Sequence, residues 1–324
     1  MCKIIGIDIS KQTFDVCFKR QSKLEHKIYA NNLKGFKLFK KETDTNSIVV
    51  MEASGPYYVS LASYLNQHNI GVSVVNPLII KRFSQMKFYR AKTDKKDASI
   101  ILEYGITEHE SLTLWKPESK GVQALKQMHT TLELLQKQLN QSKNQLSAFN
   151  SSGILNTEVK KSLTKVIVSL EKVIANLENQ MLIVCKTHYT QSYKLLTSIP
   201  CIGDKTAMML IAITDDFTKF EHYKQLIAYV GFSPRIYESG TSVRGKGHIC
   251  KMGKSQIRKL LYLCTWTAKR YNKTCREMYE RLHGKGKPER VIKIAIANKL
   301  LKQAFAVATK KEKYIENYQP NICL

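Results

Sequence analysis

No run of apolar residues in this chain reaches membrane-spanning length, and no amphipathic helix marks either end. The opening Met1-Cys2-Lys3-Ile4-Ile5-Gly6-Ile7-Asp8 lacks the charged region, apolar stretch and cleavage site of a signal peptide and runs straight into a β-rich segment. A cytoplasmic protein without a membrane partner is expected. Paired cysteines are missing too: the 8 cysteines form no CxxC pair anywhere. Cys185 with His188, and His248 with Cys250, offer two ligands apiece where a structural zinc needs four, so reduced, mostly buried thiols are expected. Acidic residues are scarce, 26 Asp+Glu against 52 Lys+Arg, for a net charge of +26. A surplus that large repels itself in a compact state and is usually maintained by a polyanion. The basic residues are spread along the whole chain, which favours nucleic acid over a membrane surface.

Hydrophobic residues make up 43% of the 324, enough for a real core. Three zones separate by pattern. Residues 1–112 alternate strand and helix signals. Lys3–Ile9 and Thr13–Phe18 read as a hairpin, Ile48–Met51 and Val72–Val75 as strands, and Tyr57–Asn69 and Asp97–Tyr104 as helices. An α/β sheet flanked by helices follows, with Ile5, Ile7, Val49, Val50 and Val74 in its core. Residues 113–190 carry two heptad rows about a Ser151-Ser152-Gly153 break. The first is Leu125, Met128, Leu132, Leu135, Leu139, Leu146 and Phe149; the second is Val159, Leu163, Val166, Leu170, Val173, Leu177 and Val184. They predict an antiparallel coiled-coil hairpin, either an internal stalk or one that pairs with another subunit. Residues 191–324 read as mostly α. Ser198–Ala207 has the form of a helix-hairpin-helix turn, a helix over 221–230 ends at Gly231, and a glycine-rich basic loop follows over 239–253. Two further helices are expected over about 254–282 and 288–309, with Leu210 in the core of this zone.

Four acids stand out in this basic chain. Asp8 sits inside an apolar strand, where a carboxylate is costly unless something positive meets it. Glu52 ends the run Ile48-Val49-Val50-Met51. Asp94 and Asp97, at a helix start, share one face by their i,i+3 spacing. Read alone, Asp94 is an N-cap, Asp97 a solvated helix acid and Glu52 a strand-end acid. Together they suit phosphoryl transfer, in which two Mg²⁺ ions on oxygen ligands activate the nucleophile and stabilise the leaving oxygen.

These residues resemble the DEDD transposases of bacterial insertion sequences, which are related to the pilin-gene invertases. Gly6-Ile7-Asp8-Ile9-Ser10-Lys11, Met51-Glu52-Ala53-Ser54-Gly55 with Tyr57, Val75-Asn76-Pro77, Lys81-Arg82-Phe83 and Arg90–Ala98 are similar to the motifs of the N-terminal domain. Ser198–Ala207, Gly231–Arg235, Ser239-Gly240 and Gly247–Gly253 are similar to the C-terminal transposase domain, so the resemblance spans nearly the whole chain. It implies a RuvC-like, RNase H-type N-terminal domain whose Asp8, Glu52, Asp94 and Asp97 hold Mg²⁺. It also implies that a C-terminal serine, here Ser239, attacks the scissile phosphate to give a phosphoserine-linked DNA intermediate. A structured bridge RNA that pairs with donor and target DNA is implied as the guide, and a dimer or tetramer as the working form. Lys11, Arg82, Lys92, Gly203, Lys205, Arg235, Arg244, Lys246 and Lys251 are the groups expected on nucleic acid.

The chain departs from the family pattern in places. Glu238 precedes Ser239 where the family has a small or polar residue, Ser242 lies close enough to compete as nucleophile, and Cys201 replaces a glycine in the hairpin turn. Two rival readings use the same acids. A RuvC-like junction nuclease would activate water and leave the C-terminal third without a chemical role. A nucleic-acid scaffold would not need all four carboxylates.

Overall fold

Strand β1 (Lys3–Ile9) is apolar on both faces, the mark of a central strand. Ile5, Ile7 and Ile9 enter one cluster and Ile4 another on the opposite side. The computed structural model describes residues 3–21, 23–89, 93–235, 238–239, 243–244 and 248–316, with the backbone alone at 238–239 and 243–244. The chain divides into two units, Met1–Pro117 and Glu118–Leu324.

In the first unit β1 is joined by β2 (Thr13–Arg20), β3 (Lys23–Ala30), β4 (Ser47–Glu52) and β5 (Gly71–Val75) in the order β3-β2-β1-β4-β5. The β1–β2 and β2–β3 pairs are antiparallel; β1–β4 and β4–β5 are parallel. Helices α1 (Leu33–Lys40) and α2 (Tyr58–Gln67) cover one face through Phe36, Phe39, Leu61 and Leu65. Helices α3 (Pro77–Met86) and α4 (Asp94–Thr107) cover the other through Ile80, Phe83, Ala98, Ile101 and Leu102. Two glycines set the approach of α4. A Cβ on Gly6 would stand 2.3 Å from the Leu102 nitrogen and 2.5 Å from the Ala98 carbonyl oxygen, and one on Gly105 would stand 2.8 Å from both Ile4 and Val50. Backbone therefore meets backbone where α4 crosses β1, and no larger residue fits between them.

Three elements of this unit escape the pattern reading. β3 carries Lys23, Glu25 and Lys27 and is largely exposed, because it is the sheet edge, where charge blunts further pairing. α1 and α3 are single short helices, α3 starting on Pro77 with Asn76 as its N-cap. Ile5, Ile7, Val49 and Val50 are fully buried as expected, whereas Val74 is only partly so.

The second unit opens with α5 (Lys120–Ser151) and α6 (Thr157–His188), an antiparallel hairpin. The first part of the α5 row reads as expected: Leu125 and Leu132 are buried and Met128, Leu135 and Leu139 pack against them, whereas Phe149 at its far end is exposed. On α6 the seam is rotated. Leu177 and Val184 of the expected row pack against the core, but Ile174, Met181 and Cys185 are the buried residues, while Val159, Val166 and Val173 are exposed. This helix is apolar at three heptad positions rather than two, and the wider stripe lets the hairpin turn its valines outward. The root of the hairpin shares its core with α7 (Thr190–Thr197), α8 (Asp204–Thr214), α9 (Tyr223–Val230), α10 (Ser255–Tyr271), α11 (Lys273–Gly284) and α12 (Glu289–Lys310). Leu210 lies in α8, of which every residue from Thr206 to Thr214 is buried.

The single helix expected over 254–282 is two. Asn272, fully buried, leaves helical geometry and caps α11 by accepting the Cys275 N–H, while its amide donates to Gln303 of α12. Among the described residues, four two-residue strands lie in and just before the basic loop, β6 (Pro234–Arg235), β7 (Glu238–Ser239), β8 (Val243–Arg244) and β9 (His248–Ile249). They pair as β6–β9 and β7–β8. No helix among the described residues is long and apolar enough to cross a membrane.

Candidate active site

Parallel pairing aligns Ile7 with Met51, so Asp8 and Glu52 leave the carboxyl ends of adjacent central strands. The close passage of α4 over Gly6 then brings the first turn of that helix beside them. Asp8, Glu52, Asp94 and Asp97 line one cleft of about 590 Å³, together with Ser54 and with Lys81, Ser84 and Gln85 of α3. The N-cap of α4 is Thr93, whose Oγ1 accepts the Lys96 N–H at 3.2 Å, and not Asp94. Freed from capping, the Asp94 and Asp97 carboxylates sit in the first turn, where the helix macrodipole favours them.

The acids feel one another. Burial, and then the charges of Asp97, Asp94, Glu52 and Asp15, push the Asp8 carboxyl up to about 6. Glu52 Oε1 accepts the Ser54 hydroxyl at 2.7 Å, which fixes its direction. Asp15 was not singled out from the sequence. It is cross-strand partner to Asp8, buried, and bonded through Oδ1 to His26 Nε2 at 2.7 Å. The signal was the one that exposed Asp8: an acid inside the apolar run Phe14-Asp15-Val16-Cys17-Phe18. Lys81 rather than Arg82 lines the cleft, and Arg82 is exposed elsewhere on α3.

Four carboxylates on one concave surface are the right donors for a hard divalent cation, which takes oxygen ligands and would offset their repulsion. Among the described residues, no three His, Cys, Asp or Glu side chains converge closely enough to hold a metal ion. The same holds for Cys185, which is buried, with the exposed His188, and for His248 with Cys250.

The other expected residues are dispersed. Lys11 stands exposed on the turn between β1 and β2. Gly203 is the N-cap of α8, no side chain caps that end, and a Cβ there would meet nothing within 4 Å. Lys205 is held by Glu178 at 2.6 Å. Cys201 takes φ 79°, a left-handed conformation that explains the family's glycine at this turn. Arg235 is exposed and pairs across β6–β9 with His248. Lys251 is exposed with φ 58°. Ser239 pairs with Val243, and Glu238 with Arg244, so Ser239 closes a short β-ribbon ahead of residues 240–242. Lys92, Ser242 and Lys246 lie outside the described residues, as do the side chains of Ser239 and Arg244.

Comparison with known proteins defines the class first. Residues 5–149 match a family model described as "Transposase", and residues 193–280 match one described as "Transposase IS116/IS110/IS902 family". A pilin gene-inverting protein of Moraxella lacunata is 32% identical over 314 residues, covering 94% of each chain. Its counterpart in Moraxella bovis is 31% identical over 313 residues, again 94% of each. A transposase for insertion sequence element IS1328 of Yersinia enterocolitica is 25% identical over 339 residues, covering 95% of this chain and 97% of that one. The protein is thus an enzyme that cleaves and recombines DNA. It belongs to the IS110 family of DEDD transposases.

Proposed function

We propose that this transposase cleaves and exchanges DNA strands through a serine-linked intermediate, with Asp8, Glu52, Asp94 and Asp97 as the ligands of Mg²⁺. The observation that carries the reading is the single cleft lined by all four acids, reached from three different elements of the chain. The sheet order, with two acids at the ends of neighbouring parallel strands and two on the helix that crosses them, supports an RNase H-type, RuvC-like reading of this unit. Bound there, Mg²⁺ would supply Lewis-acid stabilisation of the charge that develops on the phosphate oxygens.

The remaining chemistry is assigned to side chains. The Ser239 Oγ forms a P–O bond to the scissile phosphate as the bond to the departing deoxyribose oxygen breaks. The serine proton is lost and the sugar oxygen gains one. The phosphodiester energy is kept in the phosphoserine link, so a second DNA hydroxyl can reverse the step and join the strands. Lys81, at the cleft, suits an incoming phosphate. Gly203 at the open start of α8, with Lys11, Arg82, Lys92, Lys205, Arg235, Arg244, Lys246 and Lys251, is assigned to phosphate contacts on nucleic acid. The strong positive charge supports a structured guide RNA as a further partner alongside donor and target DNA. The outward valines of α6 support a homo-oligomer.

The test is to incubate the protein with RNA transcribed from the DNA that flanks its gene, donor DNA and Mg²⁺ and to look for protein–DNA adducts on denaturing gels. Adducts present in wild type and absent in Ser239→Ala are expected. Hydrolytic cleavage that survives Ser239→Ala would replace this reading with the junction nuclease.

A further inference from the structure

The two tryptophans differ in setting. Trp115 packs edge-on against Tyr58 in the first unit, whereas Trp266 of α10 is 52% exposed. One exposed ring is ordinary in itself; what sets Trp266 apart is how firmly its ring is held. Lys293, only 5% exposed, places its ammonium 3.4 Å from the Trp266 ring centroid, and Lys269 lies over the same ring at 5.7 Å. Lys269 also sits 4.8 Å from the Tyr279 ring, which in turn stacks on His283 at 5.6 Å and 17°. Glu289 ties the set together: its carboxylate is 3.4 Å from both Lys269 and Lys293 and accepts the Tyr279 hydroxyl at 2.9 Å. Trp266 is therefore held in place by a buried cation against its ring, and about half of the residue is still open to solvent.

The surroundings specify what that face suits. Between residues 254 and 293 the chain carries twelve Lys and Arg against three Glu, and Arg270, one turn along α10, is exposed. A flat, rigid π-surface bordered by cations is the arrangement that binds unpaired nucleotides, with the base on the ring and the phosphates on the basic side chains. A duplex hides its base faces and would engage the lysines and arginines alone. An apolar protein partner would be met by a dense positive rim.

We infer that Trp266 is a stacking platform for an unpaired nucleobase. The inference rests on the protein's membership of a DNA-recombining family, and its readout is independent of the metal and of Ser239. Trp115→Phe leaves Trp266 as the sole tryptophan. That variant, in chelator, is titrated with oligo-dT, oligo-U and a blunt duplex, each about twelve units long. Single strands are expected to quench Trp266 emission and the duplex to leave it nearly unchanged; the stronger quencher of the two single strands identifies the source as DNA or RNA. In the wild-type background, Trp266→Ala should weaken single-strand binding by roughly 5- to 100-fold. Duplex binding should stay as it was, and Trp266→Phe should restore most of the loss. Trp266→Ala binding single strands like wild type, or unmoved emission, overturns the inference. So does an emission change that tracks protein concentration without oligonucleotide, which would mean that a second copy covers the ring.

Discussion

Gly6 and Asp8 are two residues apart on β1 and share the face that α4 crosses, so one motif does two jobs. Gly6 admits the helix and Asp8 meets the acids that the helix delivers. Gly6→Ala would force a Cβ into backbone atoms that cannot rotate away. We expect it to lower stability by about 1–3 kcal/mol in urea titrations, with loss of cleavage larger than the stability change implies. Asp8 yields a pH prediction. Its folded value of about 6 lies above its usual 3.8, so its ionisation weakens the metal-free fold. That stability is present below about pH 4 and is lost as pH rises toward 6 and beyond. Asp8→Asn should therefore match or exceed wild type in thermal melts at pH 7.5 in chelator, and the gap should close near pH 4. A variant less stable than wild type at both pH values would contradict this. Asp8 was legible in the sequence because an acid in an apolar strand is anomalous. Asp15 obeys the same logic, and its His26 partner becomes apparent only once β3 is known to pair with β2.

At the scale of elements, periodicity was readable where a helix has one apolar stripe and ambiguous where it has two. The α5 row follows a heptad and lies in the seam from Leu125 to Leu139, beyond which Phe149 is exposed. In α6 the sequence offered Val159, Val166 and Val173 as equally good seam residues, and the structure buries Ile174 and Met181 instead. Paired substitutions check this. Val166→Lys, at an exposed position, should stay within about 0.5 kcal/mol of wild type in urea unfolding run dilute enough to keep the chain monomeric. Ile174→Lys should cost several kcal/mol, more than the roughly 2–5 kcal/mol of a simple truncation, because it also buries a charge. The break at Asn272 escaped the pattern because apolar spacing continues through it. What ends α10 is a buried side-chain hydrogen-bond set with Gln303 and Thr274, more than two dozen residues ahead or just beyond it. β3 escaped for the opposite reason: an edge strand needs little apolar content.

The molecule as a whole is two units with a shared excess of positive charge. The first supplies the acid cleft and the second the serine ribbon and the Trp266 face. With +26 to spend on phosphates, affinity for non-specific duplex should fall by roughly 10³-fold or more between about 50 and 200 mM salt, measured by fluorescence anisotropy. Affinity that hardly changes over that range would mean that few of the basic residues reach DNA. The chemistry itself is tested most directly by mapping the protein–DNA link. Trypsin should release residues 236–244 between Arg235 and Arg244, a peptide that holds both Ser239 and Ser242. After reaction with donor DNA, Mg²⁺ and flanking RNA, followed by nuclease trimming, fragmentation of this peptide is expected to place the nucleotide on Ser239. Asp8→Asn, Glu52→Gln, Asp94→Asn and Asp97→Asn should each abolish the link. A nucleotide on Ser242, or cut strands with no peptide attached, would contradict the account.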